Sequence, residues 1–332
     1  MLFEMNISWA ILLLPTGLAI LIKGADLLVE GAVALAERYG ISPLIIGLTV
    51  VAMGTSAPEV AASIDATLHN LGDTAIGNVY GSNIANLALV GGLAALIRPI
   101  TIKLSTLKRE MPVMIIVALL LYPLLADKHL GKPDSFLLLG GFFVLIIFTV
   151  ISGLAESKKK PANVDSVAEQ IQDKGLGKSK SLTSSILFII IGLLALAGGA
   201  ELTVQSAKCL GSAIGLSDAV IGLTIVAVGT SLPELVTCVI AALKGHDDIS
   251  IGNLVGSNVF NTMLVVGSAG AIRPFAINTR LIGSDYWIMI AVSVTFVLIA
   301  LIGKRINRIA GTILLAVYVA YMVYLFGFTR AI

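Results

Sequence analysis

The sequence predicts an all-α integral membrane protein of ten transmembrane helices, arranged as two inverted five-helix repeats. Three observations support this fold class: an apolar composition, ten apolar segments of spanning length, and an internal duplication. Of the 332 residues, 57% are hydrophobic and only 13% are charged, whereas soluble domains carry about 25% charged residues. A soluble fold of this size could not bury so much apolar surface, so the solvent of the chain must be lipid.

Ten apolar segments are each long enough to cross a bilayer, which takes about 20 helical residues. They lie at 8–36, 42–69, 73–97, 110–127, 134–153, 184–213, 217–244, 248–271, 284–303 and 308–328. We expect the first segment to be a retained membrane helix. It lacks the basic start and the small-residue cleavage site of a signal peptide.

A polar stretch separates the fifth segment from the sixth. Residues 154–183 hold six lysines, four acidic residues and few core-forming side chains. This composition predicts a solvated linker that is partly disordered or weakly helical. We therefore expect a first five-helix repeat at 1–153, a cytoplasmic linker at 154–183, and a second repeat at 184–332.

The halves on either side of the linker carry the same motifs. Residues 47–99 align with 222–274 at a constant offset of 175, and 27 of the 53 positions are identical. GLTVVAMGTSAPE matches GLTIVAVGTSLPE, and IGNVYGSNIAN matches IGNLVGSNVFN. Chance similarity between apolar helices would not match Thr, Ser, Pro, Glu and Asn in register, so the chain contains an internal repeat.

The repeats are expected to be inverted. Each half has five helices, and an odd number makes the second half enter the membrane from the opposite face. With both termini outside, the loops on the linker side collect fifteen Lys and Arg, against five on the other side. Because basic residues accumulate in cytoplasmic loops, the linker is expected to be cytoplasmic.

Two glutamates lie in the middle of predicted membrane helices. Glu59 and Glu234 occupy the same position in the two copies, with apolar sequence on both sides and no basic residue nearby. A charged group at the bilayer centre is costly and is retained mainly for function. The alternative is a buried protonated or salt-bridged acid. We favour an ion site, because the acid is duplicated within one motif.

The residues before each glutamate indicate how a cation could be held. Pro58 and Pro233 lack an amide hydrogen and clash with the preceding turn. They are therefore expected to kink each helix and release backbone carbonyls. These carbonyls lie near Ala52, Thr55, Ala227 and Thr230, and hydroxyl oxygens come from Thr55, Ser56, Thr230 and Ser231. An ordinary proline kink with Ser/Thr packing would explain one copy, but it explains two copies poorly.

The second motif supplies a further wall of polar groups. Ser82 and Asn86 stand four residues apart, as do Ser257 and Asn261, so each pair shares a helix face. Asn83 and Asn258 are expected to form hydrogen bonds between helices. Glycines at four-residue spacing predict close helix contacts. They are Gly77, Gly81, Gly252 and Gly256.

All the candidate ligands are hard oxygen donors. The three histidines, His69, His129 and His246, fall near loops, so soft or borderline metals are disfavoured. Ca²⁺ takes six to eight oxygen ligands in flexible geometry. Two carboxylates with carbonyls and water would suit Ca²⁺, and the same oxygens in smaller clusters would suit Na⁺. Shared ligands make the two ions compete, and this competition is the physical basis of exchange.

GTSAPE and GTSLPE, with GSNIAN and GSNVFN, resemble the paired α-repeats of the Ca²⁺/cation antiporter superfamily, especially the prokaryotic Na⁺/Ca²⁺ exchangers. The resemblance covers essentially the whole chain outside the linker. It implies alternating access in a prokaryotic plasma membrane and Ca²⁺ binding by Glu59 and Glu234, with the carbonyls of Thr55 and Thr230. It further implies one Na⁺ cluster of Ala52, Ser56 and Ser82, another of Ala227, Ser231 and Ser257, and central polar positions at Asn86 and Asn261.

The chain departs from part of that family at one position. Some members carry Asp where this chain has Asn261, and the K⁺-dependent members resemble the Asp version. The proton-coupled branch carries an acidic residue in a GNxxE-type motif, whereas this chain has GNVYG and GNLVG. The asparagine at 261 disfavours K⁺ transport, and the absence of the acidic residue from the second motif favours Na⁺ over H⁺ as the coupling ion.

We therefore expect a Na⁺/Ca²⁺ antiporter, with Ca²⁺/H⁺ exchange as the alternative. A K⁺-dependent exchanger and a cation channel are less favoured. An intramembrane hydrolase is disfavoured because no His or Lys base lies at the depth of Ser56 and Ser231. The chain is expected to be no enzyme and to need no cofactor, since Ca²⁺ and Na⁺ are its cargo. We expect no nucleic-acid partner, and one copy should suffice for transport.

Overall fold

A computed structural model describes residues 6–159, 181–215 and 227–329. The first half forms five main helices. They are α1 (Ile7–Tyr39), α2 (Pro43–Thr55 continued by Ala57–Leu68), α3 (Gly72–Ile97), α4 (Glu110–Leu125) and α5 (Lys132–Lys159), with a short helix at Leu104–Lys108 before α4. Their order and bounds follow the first five predicted segments.

The second half repeats this order. It contains α6 (Leu182–Ala213), α7 (Ala227–Thr230 continued by Leu232–Leu243), α8 (Asp247–Ile272), α9 (Leu281–Gly303) and α10 (Arg308–Thr329). The part of predicted segment 217–244 before Ala227 lies outside the described residues.

The chain is a mostly helical membrane protein. Within the described residues, seven helices are long and apolar enough to cross a membrane, or eight if the bent helix α2 counts as one span. The other two predicted spans fall short for different reasons. Helix α4 has 16 residues, and α7 is described only from Ala227. The count of ten spans therefore remains a prediction.

Helix α5 continues to Lys159 and α6 begins at Leu182, so both ends of the predicted linker are helical. The rest of the linker lies outside the described residues. The all-α prediction missed two pairs of antiparallel two-residue strands. Ile100–Thr101 pairs with Arg305–Ile306, and His129–Leu130 pairs with Phe275–Ala276.

The centre of the molecule is built from α3 and α8. In their most apolar stretches, 72% of α3 and 89% of α8 is buried inside the protein, against 28% or less of α1, α5, α6 and α10. The polar repeat motifs lie on these two central helices and on the broken helices beside them. The peripheral helices present apolar side chains outward, as lipid contact requires.

Helices α1 and α6 cross closely through glycines that are related by the repeat. A Cβ on Gly17 would lie 3.0 Å from the Gly199 carbonyl oxygen, and one on Gly192 would lie 2.8 Å from the Gly24 carbonyl oxygen. Gly192 and Gly199 stand 175 positions after Gly17 and Gly24, so the two contacts exchange under the repeat. Such reciprocity is expected when equivalent helices pack about a pseudo-two-fold axis.

The close crossing of α1 and α6 predicts that alanine substitution lowers the melting temperature at one glycine of α6 but not at another. Gly192→Ala would place a methyl group 2.7 Å from the backbone nitrogen of Leu28, so we expect the helices to separate and the melting temperature in detergent to fall by several degrees. Gly198→Ala is the matched control, because nothing lies within 4 Å of its Cβ position and alanine favours helix. Equal melting temperatures for the two variants would contradict this packing.

Candidate cation-binding site

Two helix breaks bring the predicted glutamates into the protein interior. Helix α2 bends by 42° at Ser56, where φ is −83° and ψ is 5°. In α7, Ser231 has nearly the same backbone, with φ −90° and ψ 7°. Glu59 and Glu234 follow in the first turn of the next helical segment, where the helix dipole favours a carboxylate. Both side chains are fully buried.

The predicted release of the Ala52 carbonyl by Pro58 was wrong. The N–H of Ser56 donates to this carbonyl at 3.0 Å, because proline removes its own donor and not that of the residue two positions earlier. In the second repeat, the Ser231 N–H donates to the Val228 carbonyl oxygen at 3.2 Å. The two breaks therefore share their backbone angles but differ in hydrogen bonding.

Each carboxylate lies against the serine of the opposite repeat. The Ser56 hydroxyl donates to Glu234 Oε1 at 3.0 Å. The hydroxyls of Ser231 and Ser82 lie beside the Glu59 carboxylate, and Thr55 lies beside Glu234. The geometry thus brings the glutamates into one site shared by both repeats.

Several oxygen atoms at this site are buried without a protein partner. Among the described residues, neither carboxylate oxygen of Glu59 is hydrogen-bonded, nor are Glu234 Oε2 and Ser231 Oγ. Buried polar atoms are normally satisfied, so unpaired ones are typical of a ligand site. Because all these atoms are hard oxygen donors, the residues present fit a hard cation such as Ca²⁺ or Na⁺.

The two central asparagines share this property. Asn86 and Asn261 are fully buried, and in the described part of the chain neither amide makes a side-chain hydrogen bond. Asn86 is the second residue of a π-helical segment (Ala85–Val90), and Asn261 begins another (Asn261–Val265). In these segments the Asn86 carbonyl accepts from the Gly91 N–H and the Asn261 carbonyl from the Val266 N–H. Such turns insert one extra residue into a helix and are frequent at functional sites. The sequence analysis missed them.

The remaining predicted ligands differ in their surroundings. Ser82 and Thr230 line a cavity beside the site. Ser257, Thr55 and Ala52 are buried, and a Cβ on Gly256 would lie 2.7 Å from that of Ala52. Ala227 begins helix α7. Of the two further asparagines, Asn83 bonds to Thr262 across the repeats at 3.1 Å, as expected, whereas Asn258 bonds within its own helix.

The cavity beside the site is open on one side only. It has a volume of about 680 Å³ and extends from Ser82 and Thr230 to Asp73, in the first turn of α3, and to Asn278, in the loop before α9. The position related to it by the repeat, around Glu110 and Gly256, holds a cavity of about 30 Å³. Two halves with matching motifs therefore differ in conformation.

Four repeat-related glycines show how the closed side is sealed. Gly252 and Gly256 pack against the Leu44 and Leu48 carbonyl oxygens, with Cβ distances of 2.7 and 2.8 Å. Their counterparts Gly77 and Gly81 have nothing within 4 Å among the described residues and line the cavity. The predicted close helix contact is thus confirmed for the second pair. For the first pair it remains a prediction, because positions 219 and 223, which correspond to Leu44 and Leu48, lie outside the described residues.

Ion pairs accompany the closed side. Arg98 contacts Asp247 at 3.2 Å, and Lys103 and Lys244 pair with Asp248 and Asp26. At the equivalent positions on the open side, Gly72, Asn278 and His69 replace an acid and two lysines. The repeats are therefore symmetric at the glutamates but not in the charges of their loops.

Comparison with known proteins agrees with this architecture. A family model described as "Sodium/calcium exchanger protein" matches residues 9–151 and again 184–327. The chain belongs to the sodium/calcium exchanger family. Its members are transporters, so the family supports antiport of Ca²⁺ against another cation. The double match also follows the two halves on either side of the linker.

Relatives of this family cover nearly the whole chain. It is 41% identical to the putative antiporter CaxA of Alkalimonas amylolytica, over 94% of this chain and 97% of that protein. It is 33% identical to the sodium/calcium exchanger MaX1 of Methanosarcina acetivorans, over 97% of this chain and 99% of that protein. The solved sodium-calcium exchanger NCX_Mj superposes with a TM-score of 0.81 at 29% identity, covering 96% of this chain and 100% of that one.

The one-sided cavity predicts a difference in thiol labelling between two repeat-related positions. Thr74 is exposed at the cavity mouth, whereas its counterpart Ile249 is fully buried on the closed side. In a chain with Cys209 and Cys238 replaced by serine, we expect Thr74→Cys to react rapidly with a hydrophilic maleimide and Ile249→Cys to react at least tenfold more slowly. Equal rates in the native protein, with full labelling of both after denaturation, would contradict the closed side.

Proposed function

We propose that this chain is a secondary active antiporter that exchanges Ca²⁺ for Na⁺ by alternating access, with ten membrane helices in two inverted repeats. The central observation is the shared site of Glu59 and Glu234. Two fully buried carboxylates come from repeat-related helix breaks, keep unpaired oxygens, and have a cavity on one side beside them. A permanently open channel would not need the opposite side to be closed.

In this proposal, Ca²⁺ binds between the two carboxylates and the carbonyls of Thr55 and Thr230. Two glutamates give the site a formal charge of −2, which balances one Ca²⁺. In the described part of the chain, no group of three or more His, Cys, Asp or Glu side chains lies together. The other ligands must therefore be neutral oxygens, as Ca²⁺ sites commonly include.

Na⁺ is proposed to use smaller clusters drawn from the same oxygens. One cluster comprises Ala52, Ser56 and Ser82, the other comprises Ala227, Ser231 and Ser257, and both border the glutamates. The amides of Asn86 and Asn261 complete the central wall. The Ser56 hydroxyl already contacts Glu234 at 3.0 Å, so an ion held there would share a ligand with Ca²⁺. Shared ligands make occupancy by the two ions mutually exclusive.

Alternating access follows from the difference between the repeats. In the closed half, Gly252 and Gly256 pack against α2, and in the open half Gly77 and Gly81 face the cavity. Exchanging these two arrangements would close the present cavity and open the opposite one. With the linker in the cytoplasm, as the basic loops indicate, the present cavity faces outward and the loop ion pairs close the inner side. One relative is named the inner membrane protein YrbG of Escherichia coli (strain K12), which agrees with a bacterial-type plasma membrane.

Flux measurements test the coupling ion. In proteoliposomes loaded with Na⁺ and diluted into Na⁺-free buffer, we expect uptake of ⁴⁵Ca²⁺ that stops when the Na⁺ gradient is dissipated. Glu59→Gln and Glu234→Gln should each reduce uptake at least a hundredfold, because each removes half of the site's charge. Glu201→Gln, a neutralised acid on α6, is the control and should retain uptake.

The same vesicles separate the alternatives. Uptake driven by a pH gradient without Na⁺ would establish Ca²⁺/H⁺ exchange instead. A requirement for K⁺ would establish a K⁺-dependent exchanger. Unitary currents in a planar bilayer would establish a channel.

Equilibrium binding tests the cross-repeat hydrogen bond at the site. Ser56→Ala removes the donor to Glu234 Oε1, so we expect Ca²⁺ binding to weaken about tenfold, corresponding to about 1.4 kcal/mol. Ser293→Ala is the matched control, because Ser293 is a buried serine that bonds only to its own helix, at Met289. Isothermal titration with CaCl₂ measures both. Unchanged affinity in Ser56→Ala would remove this serine from the site.

A further inference from the structure

An asparagine outside the predicted ligand set connects the two helix breaks. Asn253 is fully buried on α8. Its Oδ1 accepts from the Thr55 hydroxyl at 3.0 Å, and its Nδ2 donates to Cys238 Sγ at 3.3 Å. The Ser257 hydroxyl lies 3.5 Å from the same Oδ1. One amide therefore joins the break of α2 to the helix that follows the break of α7.

Its counterpart in the first repeat is Asn78 on α3. Asn78 Nδ2 donates to the Ser63 hydroxyl at 2.9 Å and to the Glu59 carbonyl at 3.3 Å. Ser63 corresponds to Cys238 at the offset of 175. The side chain of Asn78 is partly exposed and lines the cavity, as does Thr230, the counterpart of Thr55.

The surroundings of Asn78 and Asn253 agree at the amide nitrogen and differ at the amide oxygen. In both repeats the amide nitrogen contacts the residue at 63 or 238, and that residue contacts the backbone of the central helix at Ala75 or Ser250. On the closed side, the amide oxygen also binds the threonine of the opposite repeat. On the open side, the corresponding asparagine and threonine both face the cavity.

From this comparison we propose that Asn78 and Asn253 are positioning residues of the transport site. Each binds the threonine of the opposite repeat when its side is closed and releases it when its side opens. The inference rests on the proposed exchange function, and it adds residues that set which side is open. Neither asparagine needs to contact the transported ion.

The position of the threonine explains the effect on the site. Thr55 immediately precedes Ser56, whose hydroxyl binds Glu234, and both lie at the break where the backbone leaves the helix. Fixing the Thr55 hydroxyl on Asn253 orients this segment toward the second repeat. A buried hydrogen bond that exists in only one of two conformations shifts their ratio about five- to tenfold.

Thiol reactivity on the closed side tests this proposal. In the Ile249→Cys background, with Cys209 and Cys238 replaced by serine, Asn253→Ala should raise the maleimide rate about tenfold. Asn78→Ala, the repeat-related variant, should not raise that rate, because the bond that Asn78 is proposed to form with Thr230 belongs to the conformation in which the Ile249 side is open. Equal increases in both variants, or none in Asn253→Ala, would overturn the proposal.

Substitutions at Thr55 keep the test valid if Asn253→Ala does not fold. Thr55→Val removes the donor to Asn253 at nearly constant volume and should raise the reactivity of Ile249→Cys to the same extent. Thr55→Ser keeps the hydroxyl and should preserve slow labelling. Combining Asn253→Ala with Thr55→Val should add nothing, because both remove one hydrogen bond. Additive increases would contradict direct coupling.

Transport kinetics supply the second readout. Asn253→Ala should change the KM for Ca²⁺ presented from the linker side severalfold more than the KM from the opposite side, whereas a merely structural role would lower activity equally from both. Labelling needs no transport, so the two proposals fail separately. Vesicles without Na⁺-dependent flux but with the expected labelling would overturn only the function. Normal flux with unchanged labelling would overturn only the role of the asparagines.

Discussion

The structure depends on the burial of two carboxyl groups in an apolar interior. Glu59 and Glu234 are completely withdrawn from solvent, and no lysine or arginine of the described chain forms an ion pair with either. A carboxylate in such surroundings needs polar partners. The helix breaks supply them: each break places a serine beside the opposite carboxylate and starts a new helix whose dipole favours negative charge.

The pairing of the two repeats follows from the same requirement. One broken helix could present a carboxylate with its own hydroxyls, but pairing of two copies brings Ser56 to Glu234 and Ser231 to Glu59. The site is therefore complete only when both halves meet. The packing that permits this is made from glycine, at the crossing of α1 with α6 and at the contact of α8 with α2. Larger side chains would hold the breaks apart.

The two repeats differ around the site, and these differences bear on function. The glutamates, serines and central asparagines match position by position, which suits a site reached from either side. The differences lie around it: a cavity of about 680 Å³ opposite one of about 30 Å³, and three loop ion pairs on the closed side whose partners are replaced at the equivalent open-side positions. Asn78 and Asn253 occupy equivalent positions in the two repeats but differ in surroundings. Asn78 lines the cavity, whereas the Asn253 amide binds Thr55.

The sequence by itself determined the membrane location, the helix order and the family, because apolar length and duplicated polar motifs are local properties of the chain. It also identified Glu59 and Glu234, since an acid within apolar sequence is conspicuous. Tertiary structure decided what the motifs contact. Gly77 and Gly252 have the same local sequence, yet one lines a cavity and the other packs on Leu44. The contact of Asn253 with Thr55 likewise depends on a distant partner that no local pattern specifies.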